Sequence, residues 1–229
     1  MFDSQTKKFC SVVVDALPKN ISEDVMQGWI DNPKGLQKFL LGLCPSVAEP
    51  KLTPPILELI STIKVNATTS KFVAKEKFVR DTGRKAKVKI SYLGDNFTSW
   101  FLNGDGKIED PISEQTLCCH KLREFSVDGP IITELGGEAK AETTLSEMFS
   151  LMEEQGKGED GVLLNNGYAN IFYVKDRSGV LRAVHVYWDV DGWDVSARSV
   201  ERPFRWHDGR QVFSRNSVLE SSELVSAVS

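Results

Sequence analysis

The chain has 229 residues, 41% hydrophobic and 26% charged, with a formal net charge of −4. That is apolar material for one large domain or two small ones, and the acidic balance excludes a chain that coats nucleic acid along its whole length. No apolar run approaches the roughly 18 residues of a membrane helix, and the start "MFDSQTKKFCSVVVDALPKN" lacks a basic segment followed by a long apolar one, so no membrane partner and a cytoplasmic location are expected.

The first third reads as helices. Ser22 caps a short one that places Val25, Met26, Trp29 and Ile30 on one face. "DNPKGLQKFLLGLCP" restarts the pattern: Asp31 or Asn32 caps, Pro33 suits the first turn, and Leu36, Phe39, Leu40 and Leu43 recur at helical spacing. "TPPILELISTI" repeats it, with Thr53 as cap, Pro54 in the first turn, and Ile56, Leu59, Ile60 and Ile63 inward. Between 71 and 92 a turn at Asp81–Gly83 precedes a strand in which Val88, Ile90 and Tyr92 alternate with Lys87 and Lys89. A mixed stretch to 140 carries a capped helix near Pro111 and an irregular "SVDGPIITELGGEAK". The clearest helix follows at 145–155: Thr144 and Glu147 form a capping box, Leu145, Met148, Phe149 and Met152 form the apolar stripe, and Gly156 stops it.

"GKGEDG", 156–161, reads as the best boundary in the chain. Beyond it the period becomes two: "ANIFYVKD", "VLRAVHVYW" and "GWDVSARSV" are joined by "RSG" and "DVDG" as a hairpin meander, and "QVFSRN" supplies a last strand. Composition shifts with it. All 18 lysines lie at or before Lys175, whereas seven of ten arginines and three of five tryptophans lie after it. Arginine with aromatics is the composition of recognition surfaces. Alternation sets Val184, Val186 and Trp188 against His185 and Tyr187. After the turn it sets Trp193, Val195 and Ala197 against Asp194, Ser196 and Arg198.

Several motifs resemble chemistry without completing it. "NGDGKIED" at 103–110 mimics a calcium loop, but its register puts Phe101 and Ile112 where the first and last carboxylates belong, so it reads as a turn. Asp189, Asp191 and Asp194 could hold a hard cation only if "DVDGWD" stayed extended, and Asp191-Gly192 asks for a hairpin turn instead. Cys118, Cys119 and His120 lack the second ligand pair of a zinc site, and on a helix with Leu117 and Leu122 the cysteines fill space. Adjacent Cys118 and Cys119 would make a strained bridge, and Cys10 and Cys44 add no framework spacing, so reduced thiols are expected. No metal or cofactor is implied. A thiol or histidine enzyme around Cys119 and His120 is the weakest of three functional readings.

The second reading is nucleic-acid binding. From Lys71 to Lys89 eight basic residues stand against two acidic ones. Lys71, Lys75, Lys77, Arg84, Lys85, Lys87 and Lys89 would contact phosphates, and Phe72, Phe78 and Tyr92 would stack on bases. The competing account is a solvated strand face, since Lys85, Lys87 and Lys89 alternate with apolar residues.

The tail "LLNNGYANIFYVKDRSGVLRAVHVYWDVDGWDVSARSVERPFRWHDGRQVFSRN", with "YLGDNFTSWFL" and "ELGGEAKAETTLSEMFSLMEEQGKGEDG", resembles a group of proteins from candidate-phyla (Parcubacteria-like) bacteria, over roughly residues 30–217. More loosely, it resembles the variable C-termini of ligand-binding proteins diversified by retroelements, which are built on a C-type-lectin-like fold. That resemblance implies a scaffold of Trp188, Gly192, Trp193, Val195, Ala197, Pro203, Trp206 and Gly209. It implies display positions at His185, Tyr187, Asp189, Asp191, Asp194, Ser196, Arg198, Arg202, Phe204, His207 and Arg210.

The expectation is therefore an α+β protein: residues 1–155 mainly helical with a basic strand near 71–92, a small antiparallel meander at 156–217, for which the resemblance implies a C-type-lectin-like fold, and a flexible tail at 218–229. Its expected function is non-enzymatic recognition of a protein or other macromolecular ligand through the variable sheet face, its oligomeric state left open.

Overall fold

The computed structural model describes residues 8, 11, 12, 22–36, 54–202 and 204–215, and the chain divides into two units, 1–53 and 54–229. In the first unit, helix α1 (Glu23–Asp31) begins after Ser22, whose carbonyl accepts the Val25 and Met26 amides. Its Val25, Met26 and Ile30 are exposed rather than packed. Helical residues resume at Pro33, with Asn32 as the cap: its Oδ1 accepts the Gly35 amide at 2.9 Å. Thr53, Phe39, Leu40, Leu43, Cys10 and Cys44, and the tail 218–229, lie outside the described residues.

The second unit is built on strands. In chain order they are β1 (Leu57–Val65), β2 (Phe72–Val73), β3 (Ile90–Leu93), β4 (Ile108–Glu109), β5 (Gln115–Leu122), β6 (Glu142–Thr143), β7 (Asn170–Lys175), β8 (Leu181–Trp188), β9 (Trp193–Ser199) and β10 (Gln211–Ser214). The longer helices are α2 (Asp128–Glu134) and α3 (Leu145–Glu154), and a short helical turn, Asp95–Phe97, runs into a π-helical one, Thr98–Leu102. Eight strands form one mixed sheet in the order β1-β5-β10-β7-β8-β9-β3, with β6 beside β7, and β2 pairs β4 separately. β10 runs parallel to β7, β3 to β9 and β6 to β7; the other neighbours are antiparallel.

This corrects the expected architecture. The helical first two thirds and the small C-terminal meander, C-type-lectin-like or otherwise, give way to one large sheet to which β1, β3, β5 and β6 contribute from before Gly156. β10 is wedged between β5 and β7, so "GKGEDG" lies inside the unit and separates nothing. The residues expected as a helix, 56–63, form β1. A bulge explains the mistaken period: Ile60 is an extra residue between Leu59, opposite His120, and Ser61, opposite Cys119. It shifts the alternation by one, which turns a period of two into helix-like spacing. Ile56, Ile60, Thr62, Ile63 and Val65 are β-branched and suit a strand.

The bulge also serves both sides of the sheet. Leu57 joins the core under α2, with Leu122, Ile131, Ile171, Tyr173 and Val212. Beyond the bulge, Val65 joins the larger core on the opposite face, with Leu117, Phe172, Val184, Trp193 and Phe213 under α3 and the Phe72, Phe78, Phe97 and Phe101 rings. β5 is likewise a strand rather than a helix. Its central place buries Cys118, Cys119 and His120 on alternating faces, and neither cysteine is in a disulfide.

Helix α3 starts and stops as its sequence implies. Thr144 Oγ1 accepts the Glu147 amide at 3.1 Å, the Glu147 carboxylate accepts the Thr144 amide at 2.7 Å, and Leu145, Met148, Phe149 and Met152 are buried. No helix forms at Pro111. The calcium-like stretch is a turn with Gly104 and Gly106 at positive φ. Later in the same stretch, buried Glu109 on β4 accepts the Leu145 and Ser146 amides at 3.0 and 2.8 Å, so it caps α3 from outside. Lys107 lies 3.6 Å away. Burial, the largest influence, raises the Glu109 carboxyl above its ordinary range against those two hydrogen bonds. Glu109→Ala strands two buried donors at a helix N-terminus and is expected to lower stability by about 3 kcal/mol, read from urea midpoints.

Candidate ligand-binding face

Helix α2 covers only part of its side of the sheet. Over β8, β9 and β3 the same face carries His185, Tyr187, Asp194, Ser196, Arg198 and Tyr92. Cross-strand register brings them into rows: His185 opposite Ser196, Tyr187 opposite Asp194, Ala183 opposite Arg198, and Tyr92 beside Asp194. The alternation of "HVYWDVDGWDVSAR" therefore sorts its side chains as expected, with Val184, Val186, Trp193, Val195 and Ala197 in the opposite core. Trp193 donates its Nε1–H to the Gln155 carbonyl at 3.0 Å.

The expected display residues divide by depth. Asp189, Asp191, Arg202, Phe204 and His207 are exposed; Tyr187, Ser196, Arg198 and Arg210 are half-buried; His185 and Asp194 are buried. Asp189 and Asp191 sit on the hairpin turn, whose Asp189 amide bonds the Gly192 carbonyl, and they do not converge with Asp194. Gly192 backs against β3: a Cβ there would stand 2.8 Å from the Ser91 amide nitrogen. Asp194 accepts the Ser91 hydroxyl at 2.6 Å. Among the described residues no cluster of His, Cys, Asp and Glu could hold a metal ion. Of the scaffold set, Trp193 and Trp206 are fully enclosed, Gly209 adopts φ +79°, and Pro203 lies outside the described residues.

The floor of the face is organised around Trp206. Its Nε1–H donates to Asp128 Oδ1 at 2.8 Å, and Tyr173 donates its hydroxyl to the same oxygen at 3.0 Å. His185 stands edge-on to the Trp206 ring at 5.2 Å. Burial, then the charge of Arg198, pushes the His185 imidazole down to about 4, so it is neutral at pH 7. Burial, then Asp194, pushes the Tyr187 phenol up to about 12. Arginines lie on the aromatics around this floor: Arg198 over Phe204 at 3.8 Å, Arg210 over Tyr168 at 5.6 Å and Arg205 over Phe125 at 5.9 Å.

A hollow of about 280 Å³ opens on the face, lined by Tyr92, Asn96, His185, Ser196 and Arg198 among others. It exists because the chain passes close at Gly94, where a Cβ would meet Ser196 Oγ at 2.6 Å. Asn96 then pins the passing segment by donating to the Ala197 carbonyl at 3.2 Å. Gly94 and Asn96 escaped the sequence reading, which offered Tyr92 only as a base-stacking partner in the nucleic-acid alternative. A register irregularity between Ile90 and Tyr92 puts Ile90 in the core and leaves Tyr92 exposed, contrary to simple alternation.

The basic stretch is less coherent. Lys71, Lys75, Lys77, Arg84, Lys85 and Lys87 are exposed and Lys89 is half-buried. Lys71 pairs Asp110 at 3.4 Å, Lys77 approaches Glu153 at 3.9 Å, and Lys75 donates to the Gly104 carbonyl. Phe72 and Phe78, expected to stack on bases, are in the core. Cys119 and His120 point to opposite faces as neighbours on a strand, and burial pushes the Cys119 thiol up to about 12, which is the reverse of an activated nucleophile.

No family model, no curated protein and no solved structure matches this chain. Among the described residues no helix is long and apolar enough to cross a membrane.

Proposed function

We propose that this is a non-enzymatic binding protein that recognises a protein or other macromolecular ligand through the β8–β9–β3 face and the adjoining segment 201–210. One observation carries the reading: half-buried Arg198, Tyr187 and Ser196 and exposed Tyr92, from three neighbouring strands, share one face of the sheet, which opens into a hollow, with buried His185 packed against Trp206. Arginine and aromatic side chains deliver contact area and hydrogen bonds at modest entropic cost. The resemblance of the tail to retroelement-diversified ligand-binding proteins supports the same reading, since its display positions include His185, Tyr187, Asp194, Ser196 and Arg198 on this face.

The depth of the display positions gives a test on the protein itself. Asp191→Ala, Arg202→Ala and His207→Ala, at exposed positions, are each expected to change stability by less than about 0.5 kcal/mol, whereas His185→Ala, which opens space beside Trp206, is expected to cost about 2 kcal/mol. Urea unfolding of the four variants reads this directly. Equal large losses at the three exposed positions would make the rim structural. The diversified origin is tested at the source locus, by looking for a near-copy of the region coding 180–216, with adenines at the display codons, beside a reverse transcriptase. Absence of both removes that origin.

A further inference from the structure

Four of the ten arginines of the second unit are hydrogen-bonded or ion-paired by the chain itself, and of the other six Arg198 alone, among the described residues, has a buried nitrogen without a partner. Arg182 bonds Asp176 at 2.8 Å, Arg215 bonds Glu147 at 2.9 Å, Arg177 donates to the carbonyls of Trp100, Asn103 and Ser99, and Arg80 donates to the Ser91 carbonyl. Arg198 differs. It is half-buried, its Nε is buried without a partner, and its guanidinium forms no hydrogen bond or ion pair with another described residue. It is nonetheless held in place, its guanidinium carbon over the Phe204 ring at 3.8 Å, and Phe204 is held edge-on against Trp206 at 5.0 Å. A guanidinium stacked through its face keeps its N–H edge for an acceptor approaching in plane, and the two-pronged acceptor that fits this edge is a carboxylate.

The surroundings define what can reach it. Arg198 and Asn96 line both the 280 Å³ hollow and an adjoining one of about 520 Å³, in which Trp100, Arg202 and Phe204 form further wall. Arg202 brings a second cation into the larger hollow, whereas Arg182 there is already neutralised by Asp176. Asp95 lines the smaller hollow and Glu201 the larger, so each hollow that Arg198 lines also holds an acidic group. A strand of closely spaced phosphates would lie against both acids. A lone carboxylate has only to reach the arginine. No lysine follows Lys175 to add the diffuse positive field that nucleic acid favours.

We infer that Arg198 receives an aspartate or glutamate side chain of a protein partner, in the groove between β9 and the Asn96–Trp100 segment, with Phe204 as the platform that orients it. The inference rests on the reading of this face as a ligand-binding surface, and it names the group of the ligand that the face selects.

The test begins with random dodecapeptides displayed on phage and selected on the full chain. The chosen peptides are then titrated by fluorescence anisotropy against the wild type, Arg198→Met and Phe204→Ala. Arg198→Met keeps the apolar stem over Phe204, and a thermal melt confirms that it folds. The expected result is a shared acidic position in the selected peptides. Replacing that residue by its amide weakens binding about ten- to a hundredfold, Arg198→Met does the same, and the two changes together cost little more than either alone. Peptides that lose binding with Phe204→Ala but show no acidic position, or whose losses simply add, would overturn the carboxylate assignment and leave the binding face standing. Tighter binding of a labelled ten-nucleotide oligothymidylate, lost in Arg198→Met, would overturn it in favour of nucleic acid. If no selected peptide depends on Arg198 or Phe204, the carboxylate assignment falls together with the reading of the face.

Discussion

Gly156→Ala is expected to destabilise the second unit by about 3 kcal/mol or more, read as a large drop in urea midpoint at unchanged slope. The reason is contact with backbone. A Cβ at this position would stand 2.0 Å from the Lys87 carbonyl oxygen and 3.0 Å from its carbon, atoms that cannot rotate away. The approach is itself a structural joint: the Gly156 carbonyl accepts the Lys89 amide at 2.7 Å, and the Lys89 carbonyl accepts the Trp193 amide at 2.8 Å. One methyl group thus pries α3 from the segment that aligns β3 and β9, and the binding face is built on those two strands. Gly129 is the matched control. It lies in α2 with nothing within 4 Å of a Cβ, so Gly129→Ala is expected to leave stability unchanged or raise it by up to about 1 kcal/mol. Similar losses for both glycines would mean that the close approach to Lys87 is not what makes Gly156 sensitive.

Asp128→Ala is expected to cost about 3–5 kcal/mol, while Asp128→Asn stays within about 1 kcal/mol of the wild type. Asp128 is fully enclosed, and one carboxylate oxygen serves both the Tyr173 hydroxyl and the Trp206 indole. Alanine strands both donors in the core. Asparagine keeps an acceptor and removes the charge, while exchanging the unpartnered Oδ2 for an amide nitrogen. Burial is the largest influence on this carboxyl and raises its pKa, against the lowering effect of its two hydrogen bonds and of Arg198. A carboxyl raised in the folded state binds its proton more tightly there than in the unfolded chain. Its contribution is therefore fully present below the ordinary carboxylate pKa and is lost as pH rises through the raised folded value. The advantage of Asp128→Asn over the wild type should accordingly be smallest in acid and widen toward neutrality. His120 and His185 are each held by burial at about 4, and they lower stability in both proteins as pH falls below the ordinary histidine value. The difference between the two stability curves therefore reports Asp128. A constant difference across the range would mean that Asp128 titrates alike in the folded and unfolded chains, and that burial does not raise it.

The elements that were legible from sequence share a local cause. The Thr144–Glu147 box, the stripe on α3, the cap at Asn32 and the three strands of the meander all have signals within ten residues of where they act. The side-chain sorting of β8 and β9 was legible for the same reason, because alternation is dictated by the pleat and needs no knowledge of the neighbours. β1 was misread because the Ile60 bulge, which only pairing with β5 makes visible, disguised its period. β5 reads apolar on both sides because it is central, and centrality depends on where β10 inserts.

By itself, then, the sequence determined which residues of the tail share a face, where α3 begins and ends, and that arginine and aromatic side chains concentrate in the last third. Tertiary structure alone decided that the first two thirds of the chain supply half of the sheet and that Gly156 is a joint inside one unit. It also decided that Tyr92 and Asn96 stand beside His185, and that Arg198 lies over Phe204 with its Nε buried and unpaired. These are contacts between residues up to a hundred or so positions apart. Local propensity and periodicity act over a few residues, so no pattern within a segment encodes which distant segment it meets.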